Sequence, residues 1–302
     1  MFANFLPAEV GLLTDPASVA LAQQIDRRIV DVTQDVTQHP PKTTPSWQVA
    51  TACVCRGTGT PIVLLHGFDS SLLEFRRILP LLAEDHQVWA IDLLGFGFTE
   101  RVKGVSINPS SIKRHLYSFW QTAIAQPIIL IGASMGGAVA IDFTLTHPKC
   151  VSKLVLIDSV GFSGSFPLGR LLVTPLDWLA VEWLRYRKLA ALNAVSALPN
   201  ADPVLIDTIR CSLLHQQMAG WNEAIASFTQ SGGYSDLAPK IAQIRHPTLI
   251  LWGESDDVLG TGDAERFRRA IAQSKLVWIQ NSTHVPHLEQ PEITAREVLA
   301  FL

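Results

Sequence analysis

Pro127-Ile128-Ile129-Leu130-Ile131-Gly132-Ala133-Ser134-Met135-Gly136-Gly137 is the stretch whose reading decides the fold. The apolar run up to Ile131 reads as a short buried strand. The stretch Gly137 to Thr146 beyond it reads as an amphipathic helix. A chain that passes from strand to helix within a few residues forces its apex residue into a strained backbone and lifts that side chain clear of the sheet. The apex here is Ser134. The flanking glycines fit because a side chain at either position would collide with the neighbouring strand or helix. Gly-x-Ser-x-Gly also occurs as an ordinary turn without chemistry, and the strand before it and the helix after it separate the two readings.

Working outward, three further apolar strands end in residues that carry chemistry. Ile62-Val63-Leu64-Leu65 runs into His66-Gly67-Phe68-Asp69. A tight turn there points the N–H of Phe68 toward the serine, opposite the N–H of Met135, as an oxyanion hole requires. Pro247-Thr248-Leu249-Ile250-Leu251-Trp252 runs into Gly253-Glu254-Ser255-Asp256-Asp257. Leu276-Val277-Trp278-Ile279 is followed by Asn281-Ser282-Thr283-His284-Val285-Pro286-His287-Leu288-Glu289. Ser, Asp and His thus follow one another along the chain, each in a loop after a strand.

With these motifs the sequence resembles the α/β-hydrolase fold group that combines an HG-type oxyanion turn, a G-x-S-M-G-G elbow, a W-G-x-x-D acid loop and a H-x-P-H-x-E-x-P-E histidine loop. The resemblance runs from about Trp47 to Leu302. It implies Ser134 as nucleophile, His284 as general base and Asp256 as the acid that orients it. Asp257 in the same loop and Asp158 at the end of the sixth strand remain competing acids. His287 is expected to be structural, and His66 to brace the oxyanion turn. Two positions depart from the group's pattern: Thr283 stands where Gly often precedes the histidine, and Asp92-Leu93-Leu94-Gly95-Phe96-Gly97-Phe98-Thr99 replaces D-x-P-G-x-G-x-S.

Composition agrees with a large buried core: 48% of the 302 residues are apolar and 17% charged. A net charge of −3 gives no basic surplus and argues against nucleic acid as a partner. Cys53, Cys55, Cys150 and Cys211 form no C-x-x-C pair and read as reduced core residues. No stretch reaches the roughly 18 apolar residues of a membrane-spanning helix. No Lys or Arg precedes Arg27, so a secretory signal is not indicated and a cytoplasmic location is expected.

The strands alternate with helices, expected at about Asn108 to Ala125, Asp263 to Gln273 and Pro291 to Leu302, so a mostly parallel sheet with helices on both faces follows. Residues 1–46 read as an N-terminal helical arm, with Val19, Ala22, Ile25, Ile29 and Val32 at helical spacing after Asp15-Pro16. Residues 47–160 and 231–302 form the α/β core. Between them, 161–230 breaks the alternation with an apolar stretch that the resemblance assigns to a helical cap. The cap and the loop at Phe96 are expected to wall an apolar substrate pocket, with Trp178, Trp183, Met218 and Trp221 as cap contributors. Many of these residues would also be needed simply to pack the cap on the body.

A serine hydroxyl is a poor nucleophile near neutral pH until a base takes its proton, and His284 with Asp256 supplies that base. Gly95-Phe96-Gly97 lacks the third glycine of a dinucleotide fingerprint, and neither a P-loop nor a zinc helix motif is present. No cofactor and no metal is expected. The sequence therefore points to a serine hydrolase acting on a small-molecule ester with a small or medium apolar acyl group. Carbon–carbon, thioester or amide hydrolysis, a lyase step, perhydrolysis and a slow-turnover small-molecule receptor remain open. So does the choice between monomer and dimer.

Overall fold

The computed structural model describes residues 1–33, 46–166, 169 and 176–302. Its centre is one eight-stranded sheet in the order β1-β2-β4-β3-β5-β6-β7-β8. The strands are β1 Asp26–Val32, β2 Trp47–Arg56, β3 Pro61–Leu65, β4 Gln87–Ile91, β5 Ile128–Ala133, β6 Val151–Ile157, β7 Thr248–Gly253 and β8 Ser274–Ile279. From β4 to β8 all neighbours are parallel, while β1 and β2 join antiparallel. Every residue of β3, β5 and β7 is buried, the pattern of strands covered on both faces.

Helices α1 Pro16–Ala22, α2 Ile78–Leu82, α3 Pro109–Ala123, α4 Met135–Thr146, α8 Gly262–Ala270, α9 Pro286–Glu289 and α10 Pro291–Phe301 cover the sheet. Asn108 caps α3 through a reciprocal capping box with Ser111, so the helix starts where its sequence says. The expected amphipathic helix after Ser134 is instead buried on nearly every side, because α4 packs against β3, β5 and β6 and is flanked by α3. Three helices stand between β6 and β7: α5 Leu176–Ser196, α6 Pro203–Leu214 and α7 Trp221–Gln230. Leu171, Leu172 and Val173, expected in the cap, lie outside the described residues. No described helix is long and apolar enough to cross a membrane. Cys55 is exposed, unlike the other three cysteines, because β2 runs into solvent at its end.

The arm differs from its expected helix. α1 stops at Ala22, and 26–32 form β1, paired in register from Asp26 with Cys53 to Val32 with Trp47. Ile29 is exposed while Val30 and Val32 are buried, a two-residue period that the helical spacing had obscured. Residues 34–45 of the expected arm lie outside the described residues. The front of the arm docks on α6: the N–H groups of Thr14 and Asp15 both donate to Asp207, and Arg210 donates to Leu12 O at 2.8 Å. Asp207 is fully buried. Asp207→Ala strands two backbone donors, so it should cost about 3 kcal/mol in urea unfolding and speed proteolytic nicking before Asp26; an unchanged midpoint would mean the arm is not seated through this carboxylate.

Candidate active site

Ser134 sits between β5 and α4 at φ 51°, ψ −119°, a left-handed conformation that non-glycine residues seldom adopt. Its backbone is clamped on both sides, Ser134 N donating to Ile157 O at 2.9 Å and Val160 N to Ser134 O at 3.0 Å. The glycines around it are required by distance: a Cβ at Gly136 would lie 2.0 Å from Leu65 O, and one at Gly132 2.2 Å from Gly136 O.

His284 reaches Ser134 from the loop after β8. Its Nε2 is 2.9 Å from Ser134 Oγ, and its Nδ1 is 3.1 Å from Asp256 Oδ2. With Nδ1–H donating to the carboxylate, Nε2 is left free to accept from the serine hydroxyl. Asp256 is held in turn by the N–H groups of Val258 and Leu259, which donate to Oδ1 at 2.8 and 3.0 Å. Burial would raise its pKa, but the hydrogen bond to His284 and the two N–H groups hold it below the ordinary value. Asp257 is exposed.

Asp158 is the surprise of the site. It ends β6 fully buried, accepts from Gly253 N at 2.9 Å through Oδ1, and its Oδ2 has no conventional acceptor–donor partner. One atom each of Asp158, Asp256 and His284 lie within 4.8 Å of one another. Burial pushes Asp158 up to about 9, and the Asp256 charge adds to this against the pull of the Gly253 N–H. Of two neighbouring carboxyls the more strongly desolvated one keeps its proton, so Asp158 is the neutral member of the pair at pH 7. Among the described residues this trio is also the one grouping that could ligate a metal, but Asp256 and His284 already spend their atoms on the chain to Ser134.

The turn after β3 lies against the serine: a Cβ on Gly67 would be 3.3 Å from Ser134 Cβ. His66 braces it, with Nδ1–H donating to Gly67 O at 2.8 Å while Nε2 accepts from Leu93 N at 3.2 Å. Met135 opens α4, so its N–H has no intrahelical acceptor; Phe68 borders the cavity above Ser134. Asp92, buried, is a structural post that accepts from Leu72 N and Phe98 N, both at 2.6 Å. Gly97 is obligatory beside it, since a Cβ there would meet the Asp92 carboxylate at 2.0 Å. Glu289 was not singled out from the sequence, yet it clamps the histidine loop through Ser282 Oγ, Thr283 N and Thr283 Oγ1, at 2.6–2.7 Å. The unusual Thr283 thus adds a hydrogen bond that glycine could not. The motif H-x-P-H-x-E contained the signal, with Glu289 six and seven residues from its partners in the sequence.

A cavity of about 430 Å³ opens onto Ser134 and His284, walled by Phe68, Ile209, Cys211, Val258, Val285 and Leu288. None of the five expected pocket residues lines it. Phe96 is buried behind Phe68, edge to face at 5.9 Å. Met218 and Trp221 border a separate cleft on the cap, Trp178 points to solvent, and Trp183 lines a second apolar cavity of about 370 Å³ on the far side of Phe68. Of the three helices between β6 and β7, α6 supplies most of the residues that face the serine, and the tryptophans do not line its cavity.

A sequence profile described as the alpha/beta hydrolase family matches residues 62–297. The chain is 36% identical, over 99% of its length and 90% of the relative's, to the alpha/beta hydrolase domain-containing protein VTE7 of Arabidopsis thaliana. It is 29% identical to a 2-hydroxy-6-oxo-2,4-heptadienoate hydrolase of Pseudomonas putida, over 82% of this chain and 90% of that one. The fold superposes on a thermophilic esterase from Thermogutta terrifontis with a TM-score of 0.69 at 23% identity, covering 91% of this chain and 97% of that one. Sheet order, elbow and profile agree, and the chain belongs to the alpha/beta hydrolase family.

Proposed function

We propose that the protein is a serine hydrolase that cleaves a carboxylic ester with a small or medium apolar acyl group through an acyl-enzyme. The observation that carries this reading is the hydrogen-bonded chain from Ser134 Oγ through His284 to Asp256, opening into an apolar-walled cavity. Ser134 attacks the carbonyl while His284 Nε2 takes its proton and then returns it to the leaving alcohol. Asp256 keeps the imidazole in the tautomer that leaves Nε2 unprotonated and stabilises the imidazolium. The N–H groups of Phe68 and Met135 receive the developing oxyanion. Water, activated by the same histidine, releases the acid. The reaction so described uses no cofactor.

Carbon–carbon hydrolysis, which the name of the Pseudomonas putida relative denotes, is favoured less. A dienoate carboxylate needs a free cation, and among the described residues the two cations beside the cavity face other partners: Arg76 donates to Leu73 O and Thr208 with Asp15 at 3.9 Å, and Lys188 donates to Asp69 and Ser212 O.

A fluorophosphonate probe should label Ser134, and p-nitrophenyl esters should be turned over. Ser134→Ala should lower that turnover by about 10⁶-fold and Asp256→Asn by about 10⁴-fold, with Asp158→Asn and Asp257→Asn costing far less; a larger loss at Asp158 would move the orienting acid to β6.

Each methylene buried contributes about 0.8 kcal/mol. Lengthening the acyl chain from acetate to butyrate should therefore raise kcat/KM by up to about tenfold, whereas a steady fall from acetate onward would rule out an apolar acyl pocket.

Asp158 makes a pH prediction. Its folded pKa of about 9 lies above the unfolded value. Between the two, the folded chain holds a proton that the unfolded chain has released. Its contribution is therefore fully present below the unfolded pKa and is lost as pH rises toward 9. Asp158→Asn keeps the shape and the donor without ionising. Relative to the parent, it should gain stability on going from pH 5 to pH 8, and urea midpoints that shift equally at both would disprove a neutral Asp158.

A further inference from the structure

Asp69 follows Phe68 in the oxyanion turn and has no part in the chemistry above. Its backbone is left-handed at φ 48°, and its carboxylate is buried. Four side chains donate to that carboxylate, and all four belong to the cap region. Lys188 Nζ of α5 lies 2.7 Å from Oδ2, and Gln216 Nε2 2.8 Å from the same oxygen. His215 Nε2 and Trp221 Nε1 each lie 2.9 Å from Oδ1. Lys188 also donates to the main-chain oxygen of Asp69 at 2.7 Å and to Ser212 O at 3.1 Å, which uses all three of its protons.

We propose that Asp69 is a positioning residue that couples the cap to the oxyanion hole, so that the Phe68 N–H is held for catalysis only while the cap is seated. The proposal rests on the serine-hydrolase reading above. Its physical basis is that a non-glycine residue at positive φ carries a conformational cost of order 1–3 kcal/mol and persists only where its surroundings impose it. The surroundings here are the cap donors, which grip both the carboxylate and the carbonyl of the residue next to Phe68. Burial alone would raise the carboxyl pKa, but the hydrogen bond from His215 and the charge of Lys188 hold it far below the ordinary range. Burial keeps His215 itself down at about 4. It is therefore a neutral Nε2–H donor at pH 7, and the Asp69 charge is balanced by Lys188. Lifting the cap would take all four donors from the carboxylate at once and leave water to replace them. Relaxing residue 69 would swing the preceding peptide, the one that carries the Asp69 N and the Phe68 C=O, and with it the Phe68 backbone.

The alternative is that Asp69 merely fastens the cap. Two readouts separate the roles. The first needs no substrate: hydrogen–deuterium exchange of the peptide covering 66–72, in the parent, Asp69→Asn and Trp221→Phe. Trp221→Phe removes one donor to Oδ1 and leaves the turn's own sequence intact. Exchange in 66–72 should quicken in both variants while the elbow peptide covering 132–137 stays protected. The second readout is binding of an aryl trifluoromethyl ketone, whose hemiketal oxyanion occupies the hole, against the matching methyl ketone, which binds without one. Asp69→Asn should lower kcat by about 10–100-fold, short of the about 100–1,000-fold cost of losing an oxyanion donor outright. It should weaken the trifluoromethyl ketone by a similar factor and leave KM and the methyl ketone within about threefold. Trp221→Phe should move the same quantities in the same direction by less, and the double variant should lose less than the product of the two.

Equal losses on both ketones, or a loss confined to KM, would reduce Asp69 to a cap fastener and overturn the proposal. So would unchanged exchange in 66–72 for Trp221→Phe, which decides the matter if Asp69→Asn fails to fold. A parent that turns over no ester would instead count against the serine-hydrolase reading, while the exchange result still answers for the coupling.

Discussion

The site depends on how closely three backbones approach one another at Ser134. β3, β5 and α4 meet with less room than a single methyl group would need at Gly132, Gly136 or Gly137, where a Cβ would come within about 2 Å of Gly136 O, Leu65 O or Ser159 Oγ. That proximity sets Ser134 in its left-handed backbone and lets β6 and the loop after it clamp it through Ile157 O and Val160 N. It also brings the turn after β3 alongside the hydroxyl. Strain of this kind persists only where the surroundings over-determine it, and here two strands and a helix do so together. The loops after β7 and β8 then need only to deliver a carboxylate and an imidazole to a point already fixed. Their own closeness has the same cause, since a Cβ at Gly253 would lie 1.9 Å from Thr283 O.

Carboxyl groups around this point show how environment, not residue type, sets charge. Asp256 is ionised, because a histidine and two N–H groups outweigh its burial. Asp158, a few ångströms away, is neutral because burial and the Asp256 charge outweigh the single N–H it receives. Asp69 is as buried as Asp256 and is likewise ionised, because the segment between β6 and β7 brings it four donors. A carboxyl's partners thus reveal its state where its depth does not.

What the sequence made legible follows from this arrangement. Ser134, Asp256 and His284 each follow a continuous apolar strand, and an apolar strand followed by glycine or turn residues is a local signal. The structure brings the three together as that order implied. β1 was not legible, since Asp26–Val32 becomes a strand only by pairing with β2, a partner some twenty residues on. The cavity wall was illegible for a similar reason. Helical spacing says which residues share a face but not which face meets the serine, and the large aromatics drew attention while Ile209, Cys211 and Leu288 did the lining. Asp69 stood in plain view beside Phe68, but its meaning lies in residues more than a hundred positions away.

The strand contributed by the arm has one more consequence. β1 is the outermost strand on its side, and its sequence Asp26-Arg27-Arg28-Ile29-Val30-Asp31-Val32 is mostly charged at the end where its ladder begins. An outer strand with charged side chains discourages another chain from adding to the sheet. β2 behind it is apolar through Val49, Ala52, Cys53 and Val54 and has no such protection. A fragment cut back to the boundary of the family profile at Ile62 would lose both strands and leave β4 as the new rim, with Val88, Trp89, Ala90 and Ile91 open to solvent. Such a fragment would keep every residue of the hydrogen-bonded chain and still be prone to stack with its own copies, so β1 and β2 contribute to colloidal behaviour as much as to fold.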